Sequence, residues 1–466
     1  MSLTKLGKAP ESPEEVLARC QYLVRELNIF ANYCEQKKNH GDYRQKPEYN
    51  HFRGDIEQEI KSMEKITSDA ETPPERISQL VSASNLTYWE ALWNAAKQTK
   101  QVMVLRRHGS PIDIIAENGR QWIKVSTITE KRLLMEMAKQ GWDWPASDED
   151  SDDDLFGSNY ARTDDHIDIS LVKMAVALRD LAKQNRVRYK HPEVHFILTR
   201  ISSGNENIDI ILNHIRATGA VVHTAEQLKL APPVEDVLDD LVIDEFKFFS
   251  ATINIDCTLL LALVSDISHG QVKEEPWFNR NVRNQIQIEE KEQLMPKSLW
   301  PAMRDHSLVC TKLAAQRMRE IVDTIGTPTE RERARLIMGD DINKSPEKLL
   351  EEFRSLSVHD VPKVWKLPVK IVDEGSVDLG SPTTFQENVI SELSDINRSV
   401  FLYGWLSGCT TITSNRVAAK AIEKAVEEYR TTEEDEGPDV WICPTARSLV
   451  AKEKDRKDPQ PLNEEK

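Results

Sequence analysis

Residues 253–270, INIDCTLLLALVSDISHG, contain the feature that most limits how this chain can fold. A short apolar run ends at Asp256, and a longer apolar run follows it directly. The first run has the length of a buried strand, and the second continues as an apolar helix. A strand that passes straight into a buried helix is typical of a parallel sheet covered by helices. Asp256 is then expected at the carboxyl end of the first strand of its domain.

The same alternation of strand and helix continues to the end of the chain's second half. HSLVCT (306–311) and TTITSN (410–415) are predicted strands, and each runs into a predicted helix. Thr327, Pro328 and Glu330 have the spacing of a helix start with a capping box. This half is therefore predicted to be an α/β domain with a mostly parallel sheet.

The first half begins with apolar residues at helical spacing, and a pattern typical of strands then follows. Apolar residues at helical spacing predict helices over 13–38, 52–66 and 85–99. QVMVLRRHG and PIDIIAENGRQWIKVST are predicted strands, with a hairpin turn at 117–120. Further helices and the buried strand VHFILTR follow, which predicts a second α/β domain.

These patterns divide the 466 residues into five parts. They are a helical N-terminal region (1–100), an α/β domain (101–229) with an acidic insertion (147–158), a linker (230–249), a three-layer α/β/α domain (250–430) and a charged, flexible tail (431–466). The double proline and the acids of the linker favour an exposed connector. The fold class is α/β throughout, with a helical N-terminal extension.

Composition limits the compartment and the partners. The net charge of −16 argues against a general polyanion binder, although a local basic groove stays compatible with it. The six cysteines form no CxxC pair, and Cys257, Cys310 and Cys409 lie in apolar runs, which favours free thiols in a reducing compartment. No apolar stretch is long enough for a membrane span or a signal region, so we expect a soluble cytoplasmic or nuclear protein.

Asp256 has two interpretations. Ligands of open parallel sheets bind outside the carboxyl ends of the strands. Asp256, Thr413 and Asn415 are expected at that edge, where they would form a divalent-metal or phosphate site. Alternatively, Asp256 caps the helix that begins near Thr258, and Thr413 and Asn415 form an ordinary strand-to-helix cap.

The second half resembles a known family of domains. INIDCTLLLALV and TTITSNRVAAKAI resemble the first and last strand–helix units of PIN-like domains, the fold of many metal-dependent ribonucleases. INIDCTLLLALVSDISHG, EKEQLMP, DTIGTPTERERA and FLYGWLSGCTTITSN are similar to a eukaryotic family, the domain of unknown function 1308 family. The resemblance covers about residues 250–422, and ENGRQWIKV extends it weakly into the first half.

The PIN-like resemblance implies three or four acids around Mg²⁺ or Mn²⁺. Asp256 matches the first position, but the second falls near Gln316 or Arg317 and the third near Trp405, and none of these is an acid. The fourth is Asn415, a neutral ligand. Acids on nearby helices would substitute only if they faced inward; they are Glu320, Asp323 and Glu332.

Other candidates carry weaker signals. TERERAR (329–335) has the composition of a phosphate-binding arginine cluster, but its alternating charges favour a solvated helix face. His223 and His269 are isolated histidines.

The first half offers one rival nuclease pattern. Asp113, Glu117 and Lys124 resemble a restriction-endonuclease-like site, but Trp122 stands where that motif needs an acid. The default is a structural hairpin, with Lys124 extended beside Trp122.

The sequence therefore predicts an intracellular protein with a PIN-like, catalytically impaired domain that binds RNA, a nucleotide or a protein partner. Two alternatives stay open: an active Mg²⁺- or Mn²⁺-dependent ribonuclease, and a protein-interaction scaffold. No membrane partner is expected, and the oligomeric state stays open.

Overall fold

The computed structural model describes residues 12–39, 47–68, 73–139, 168–270, 272–376 and 379–450. The described chain divides into an N-terminal unit that extends to Glu245 and a C-terminal unit that begins at Phe246. The acidic insertion at 147–158 lies outside the described residues. Among the residues that are described, no helix has both the length and the apolar character needed to cross a membrane.

The N-terminal unit is built on a mixed five-stranded sheet. Its strands are β1 (Val104–Leu105), β2 (Ile114–Ala116), β3 (Gln121–Ser126), β4 (Glu193–Leu198) and β5 (Val221–His223), in the spatial order β1-β2-β3-β4-β5. β1, β2 and β3 pair antiparallel, whereas β3, β4 and β5 pair parallel. The turn between β2 and β3 is the hairpin that the sequence predicts.

Helices cover both faces of this sheet. They are α1 (Pro13–Asn39), α2 (Asn50–Ser68), α3 (Pro74–Ser82), α4 (Leu86–Ala96), α5 (Glu130–Lys139), α6 (Ser170–Lys183), α7 (Glu206–Ala217) and α8 (Val234–Leu241). Residues of α1–α4 and α8 share one apolar core with Ile123 and Val125 of β3. Residues of α5–α7 share another with Trp122 of β3 and Phe196 of β4. The N-terminal helices thus form one layer of the same unit as the sheet.

The C-terminal unit is built on an all-parallel five-stranded sheet. Its strands are β6 (Thr252–Ile255), β7 (Ser307–Thr311), β8 (Lys370–Val372), β9 (Thr410–Thr413) and β10 (Val440–Ile442), in the order β10-β9-β6-β7-β8. β6 lies at the centre and pairs with β9. The prediction of a mostly parallel sheet is confirmed, and β6 and β9 lie side by side in it.

The remaining helices make this unit consistent with a three-layer α/β/α domain. They are α9 (Cys257–Val264), α10 (Arg280–Glu292), α11 (Trp300–Met303), α12 (Lys312–Ile325), α13 (Pro328–Met338), α14 (Pro346–Ser355), α15 (Thr384–Ile390), α16 (Asp395–Leu406) and α17 (Arg416–Tyr429). Ile253 and Ile255 of β6 face a large apolar core with α9 and α12. Alternation along the strand turns Asn254 to the opposite face, where its Nδ2 donates to Val400 O of α16 at 2.9 Å.

Two segments differ from the sequence prediction. The linker 230–249 is not a plain exposed connector, because it contains α8, whose Val234 and Leu241 are fully buried. The prediction of a flexible tail over 431–466 is wrong for residues 431–450, and residues 451–466 lie outside the described residues. The segment 431–450 supplies β10, whose Trp441 packs edge to face against Phe246 at 5.5 Å between ring centroids. Short apolar elements such as α8 and β10 are difficult to predict from a sequence pattern when charged residues stand on both sides of them.

A buried ionic cluster holds the loop after α9 against α13; we call it the Asp266 network. Arg333 is fully buried, and its Nη1 donates to Asp266 Oδ1 at 2.6 Å. Thr327 and Thr329 also donate to Asp266, each at 2.6 Å. Glu330 Oε1 accepts the backbone N–H groups of Asp266 and Val450 at 3.1 and 3.0 Å.

The Asp266 network corrects the interpretation of TERERAR. The helix face is not uniformly solvated, since Glu330 and Arg333 point into the protein, and Arg333 is not available to bind phosphate. Thr327 and Glu330 do form the predicted capping box of α13. Removal of one partner from a buried ion pair costs about 3–5 kcal/mol of stability, so this motif serves the fold.

His269 is also structural. Its side chain is fully buried; Nδ1 lies 2.8 Å from Ser357 Oγ, and Nε2 lies 3.0 Å from Leu263 O. Burial, together with the positive charge of Arg333, lowers the pKa of His269 from 6.5 to about 3. The imidazole is therefore neutral in the folded protein at neutral pH.

Gly404 provides a stability test. A methyl group there would overlap Thr411 Oγ1 and lie 3.2 Å from Asn254 Nδ2, so glycine allows α16 to approach the sheet. We predict that Gly404→Ala destabilises the protein by about 1–3 kcal/mol, although alanine is the better helix former. Gly54 of α2 is the matched control, because nothing lies within 4 Å of a methyl group at that position. Gly54→Ala should stabilise by about 0.5–1 kcal/mol in urea unfolding. Equal effects of the two changes would contradict the close packing.

His269 predicts a specific pH dependence of stability. Its pKa is lowered in the folded state, so the unfolded state binds the proton more readily, and stability is lost as pH falls from about 6.5 towards 3. Between pH 7 and pH 5 this group should account for about 2 kcal/mol of lost unfolding free energy. His269→Gln keeps a donor and an acceptor but does not titrate. Urea unfolding of the variant should show a pH dependence that is smaller by that amount, and identical pH profiles would disprove the assignment.

Candidate functional site

The connectivity of the C-terminal sheet places a switch point between β6 and β9. From β6 the chain moves outward through β7 to β8, and it then returns to the other side for β9 and β10. In open α/β sheets, ligands bind at such a point, in the crevice outside the carboxyl ends of the strands. Asp256 directly follows β6, and Thr413 ends β9. We call this end of the sheet the carboxyl edge.

The side chain of Asp256 is held by two threonine hydroxyl groups. Asp256 is 1% exposed, and its Oδ2 accepts hydrogen bonds from Thr413 Oγ1 and Thr258 Oγ1, both at 2.7 Å. Asp256 occupies the N-cap position of α9 but makes no side-chain cap hydrogen bond. The interpretation of this carboxylate as a helix cap is therefore wrong. Its role as a metal ligand stays a prediction.

Asn415 combines a cap with a contact across the carboxyl edge. Its Oδ1 accepts the backbone N–H of Ala418 at 3.1 Å, so it caps α17 as the alternative interpretation expects. Its Nδ2 donates to Asn397 Oδ1 on α16 at 3.3 Å, and its backbone N–H donates to Thr413 Oγ1 at 2.9 Å. Asp256, Thr413, Asn415 and Asn397 thus form one connected group.

A second polar group lies at the end of β7. Thr311 is the last residue of β7, and its Oγ1 lies 2.8 Å from Ser399 Oγ of α16. The same hydroxyl of Ser399 contacts Glu374 Oε1, just beyond β8. Because β7 separates β8 from β6, and strands lie about 4.8 Å apart, the ends of β6 and β8 are about 10 Å apart.

Topology explains why sequence reasoning missed Asn397 and Ser399. The PIN-like resemblance places the third acid near Trp405, at the end of α16. A helix that leads into a parallel strand runs antiparallel to it, so the first turn of α16 reaches the carboxyl edge and its last turn does not. Trp405 instead packs edge to face on Phe385, 5.8 Å between ring centroids. Asp395, which is exposed, shares the helix face of Ser399 in that first turn.

Gln316 and Arg317, which stand near the expected position of the second acid, lie on the surface of a helix. The acids that would substitute for it also lie on helix surfaces. Gln316 Nε2 and Arg317 Nη1 both donate to Glu320, at 3.1 and 3.2 Å. Glu332 pairs with Arg335, and Asp323 is exposed.

The donor set therefore does not fit a site for two metal ions. Mg²⁺ and Mn²⁺ are bound through oxygen ligands, and each ion usually has at least one carboxylate among them. The group around Asp256 offers one carboxylate, and its other members are threonine hydroxyls and asparagine amides. Within the described ranges, no group of three or more His, Cys, Asp or Glu side chains is arranged to hold a metal ion.

The carboxyl edge also carries positive charge, from helix starts and from two side chains. α9, α12 and α17 all begin there, and helix starts carry partial positive charge. Thr311 and Asn415 cap one N–H group each at the starts of α12 and α17. Lys312 begins α12 and Arg416 begins α17, which adds two cationic side chains. Lys312 pairs with Asp373 at 2.8 Å, and Arg416 donates to Pro444 O. Both side chains are exposed at the surface.

The rival site of the N-terminal unit is a structural brace. Asp113 is buried; it accepts hydrogen bonds from Tyr88 Oη at 2.6 Å and Val125 N at 2.8 Å, and it pairs with Lys124 at 3.2 Å. Lys124 is therefore held by an ion pair and does not simply extend beside Trp122. Glu117 lies in the hairpin turn, at the other end of β2.

Comparison with known protein families finds a match to part of the C-terminal unit. A family model described as Protein of unknown function (DUF1308) matches residues 253–377. No solved structure matches the chain. The matched segment includes Asp256 and the Asp266 network but ends before Thr413 and Asn415. The segment that begins at β6 and ends after β8 is therefore similar to the domain of unknown function 1308 family, as its motifs predict.

Proposed function

We propose that the C-terminal unit is a PIN-like domain that binds RNA or a nucleotide at its carboxyl edge and that its cleavage chemistry is impaired. One observation carries the proposal. At the switch point, the carboxylate of Asp256 is already hydrogen-bonded by Thr413 and Thr258, and the adjoining Asn415 and Asn397 are neutral. The geometry supports recognition by hydrogen bonds more than catalysis by metal ions.

Phosphate is the chemical group that suits this edge. Helix starts present N–H donors to an anion, and Lys312 and Arg416 add positive charge. Their existing partners are the exposed Asp373 and a backbone carbonyl, and exposed contacts of this kind contribute little to stability. A phosphodiester can therefore replace them at little cost. The net charge of the whole chain does not oppose this, because the local potential governs binding.

Impaired cleavage follows from the same geometry. In two-metal hydrolysis, the ions activate water and stabilise the leaving oxygen, and the protein must hold both ions with carboxylates. Removal of a single electrostatic contact from a preorganised site commonly costs about 10²–10³ in rate. Neutral Asn415 and Asn397 beside Asp256 correspond to at least one such loss.

An active ribonuclease is the second candidate, and two acids at the same edge favour it. Glu374 contacts Ser399, and Asp395 shares the helix face of Ser399. If both turned towards Asp256, three carboxylates would surround one position. The spacing of about 10 Å between the ends of β6 and β8 weighs against this arrangement. Mg²⁺ or Mn²⁺ would be its cofactor.

The RNA-binding proposal predicts the effect of removing both edge cations. Lys312→Ala combined with Arg416→Ala should weaken binding of a single-stranded RNA at least tenfold in fluorescence anisotropy. The logarithm of the association constant falls as the logarithm of the salt concentration rises. Loss of two phosphate contacts should make this slope less steep by about 1.4, since each contact contributes about 0.7 to it for single strands. Lys370→Ala is the matched control: Lys370 is exposed and begins β8, at the opposite end of the sheet.

The same RNA distinguishes the alternatives. We expect no Mn²⁺-dependent cleavage by the unmodified protein, and we expect Asp256→Asn to bind within about threefold of it. Cleavage that is lost in Asp256→Asn, Glu374→Gln or Asp395→Asn would establish the ribonuclease instead. If the unmodified protein binds no RNA, or if Lys370→Ala weakens binding as much as the double change, the proposal fails and the protein-interaction scaffold is favoured.

A further inference from the structure

The N-terminal unit contains a cleft that the carboxyl edge does not involve. It has a volume of about 490 Å³ and lies over the face of the sheet between α4 and residues 227–231. Its floor is formed by Gln121 and Ile123 of β3, His195 and Ile197 of β4, and His223 of β5. Small-molecule sites typically occupy about 300–1,000 Å³, so a ligand of moderate size fits here.

Two histidines form the polar part of the floor. The rings of His195 and His223 are nearly parallel, with centroids 5.4 Å apart, and His195 Nδ1 lies 3.1 Å from His223 Nε2. Burial, and secondly the neighbouring His195, lowers the pKa of His223. His223 is therefore uncharged at neutral pH, and the two rings together present hydrogen-bonding nitrogens on the floor of the cleft. The sequence shows His223 as an isolated histidine because its partner lies on another strand.

Gln121 completes this surface with an unused acceptor. Its Nε2 lies 3.4 Å from His195 Nε2, whereas its Oε1 is buried and has no hydrogen-bond partner among the described residues. Buried side-chain oxygens are nearly always paired in folded proteins. An unpaired amide oxygen on the floor of a cleft therefore points to a ligand that donates a hydrogen bond.

The charges around the cleft favour an anion. Arg200 follows Thr199 just beyond the end of β4, and the exposed Lys229 stands on the 227–231 side. Glu90 is the one acid among the described lining residues, and Arg19 neutralises it through two hydrogen bonds at 2.8 and 2.5 Å. Arg200 and the hydroxyls of Thr127 and Thr199 lie beyond the carboxyl ends of the parallel strands β3 and β4, where anionic ligands bind in such sheets.

We propose that this cleft binds a nucleoside monophosphate. The planar base lies over the His195–His223 pair and Ile197 and donates a hydrogen bond to Gln121 Oε1. The phosphate group reaches Arg200 and Lys229. This site is separate from the carboxyl edge of the C-terminal unit and does not depend on the function proposed for it.

Isothermal titration calorimetry of the full chain tests the proposal with AMP, GMP, CMP, UMP and inorganic phosphate as probes. At least one mononucleotide should bind, and more tightly than phosphate alone. Arg200→Ala should weaken that binding at least tenfold, and Gln121→Leu about fivefold or more. Arg216→Ala, which removes an exposed arginine from α7, is the matched charge control and should change nothing. Lys312→Ala with Arg416→Ala should also leave it unchanged, which separates this site from the RNA-binding edge.

Several results would overturn the proposal. The proposal fails if no mononucleotide binds at millimolar concentration, or if inorganic phosphate and every nucleotide bind with equal affinity. It also fails if Arg200→Ala does not change the affinity. Melting curves verify that each variant is folded. Because Arg200 is at the surface end of a strand, its replacement should not unfold the unit, so this variant decides the outcome if Gln121→Leu is unstable.

Discussion

The hydrogen bond from Thr413 to Asp256 joins the ends of the two central strands of the C-terminal unit. A buried carboxylate is costly unless hydrogen bonds compensate for lost water, and here two hydroxyl groups do so. The same bond fixes the geometry of the switch point, because β6 and β9 separate there into opposite halves of the sheet. The chemistry available directly around Asp256 is therefore set by one compensated acid beside threonine hydroxyls and asparagine amides. This balance favours a binding site over a hydrolytic metal centre.

The Asp266 network has a complementary role away from that edge. Asp266, Glu330 and Arg333 connect the loop after α9, the start of α13 and the backbone near Val450. Two of the segments that carry the family resemblance, SDISHG and GTPTERERA, thus contribute buried groups that hold the layers together. Their charged residues resemble a functional cluster in sequence, but in the structure they are withdrawn from solvent. Function in this unit is better sought at the ends of β6, β7 and β9.

Much of the fold could be predicted because local signals and tertiary packing agree. The capping box at Thr327 follows from turn chemistry, and the parallel sheet of the C-terminal unit follows from strand–helix alternation. Predictions failed where a short element stands among charged residues, as β10 does. The site was predictable only in part. Asp256 and Thr413 are marked by strand ends, whereas Asn397 and His195 become relevant through contacts between distant segments. The spacing of these residues along the sequence does not indicate that such contacts form.

The central claim is that neutral side chains beside Asp256 prevent this edge from holding catalytic metal ions. Calorimetric titration with Mn²⁺ tests it most directly, on the unmodified protein and on a variant with Asn397→Asp and Asn415→Asp. Aspartate also caps helices, so α17 should be preserved in the variant. Asn343→Asp, at an exposed turn, is the control for added charge. We predict no saturable Mn²⁺ binding by the unmodified protein or the control, and a new site in the double variant. Saturable binding by the unmodified protein that Asp256→Asn abolishes would contradict the account.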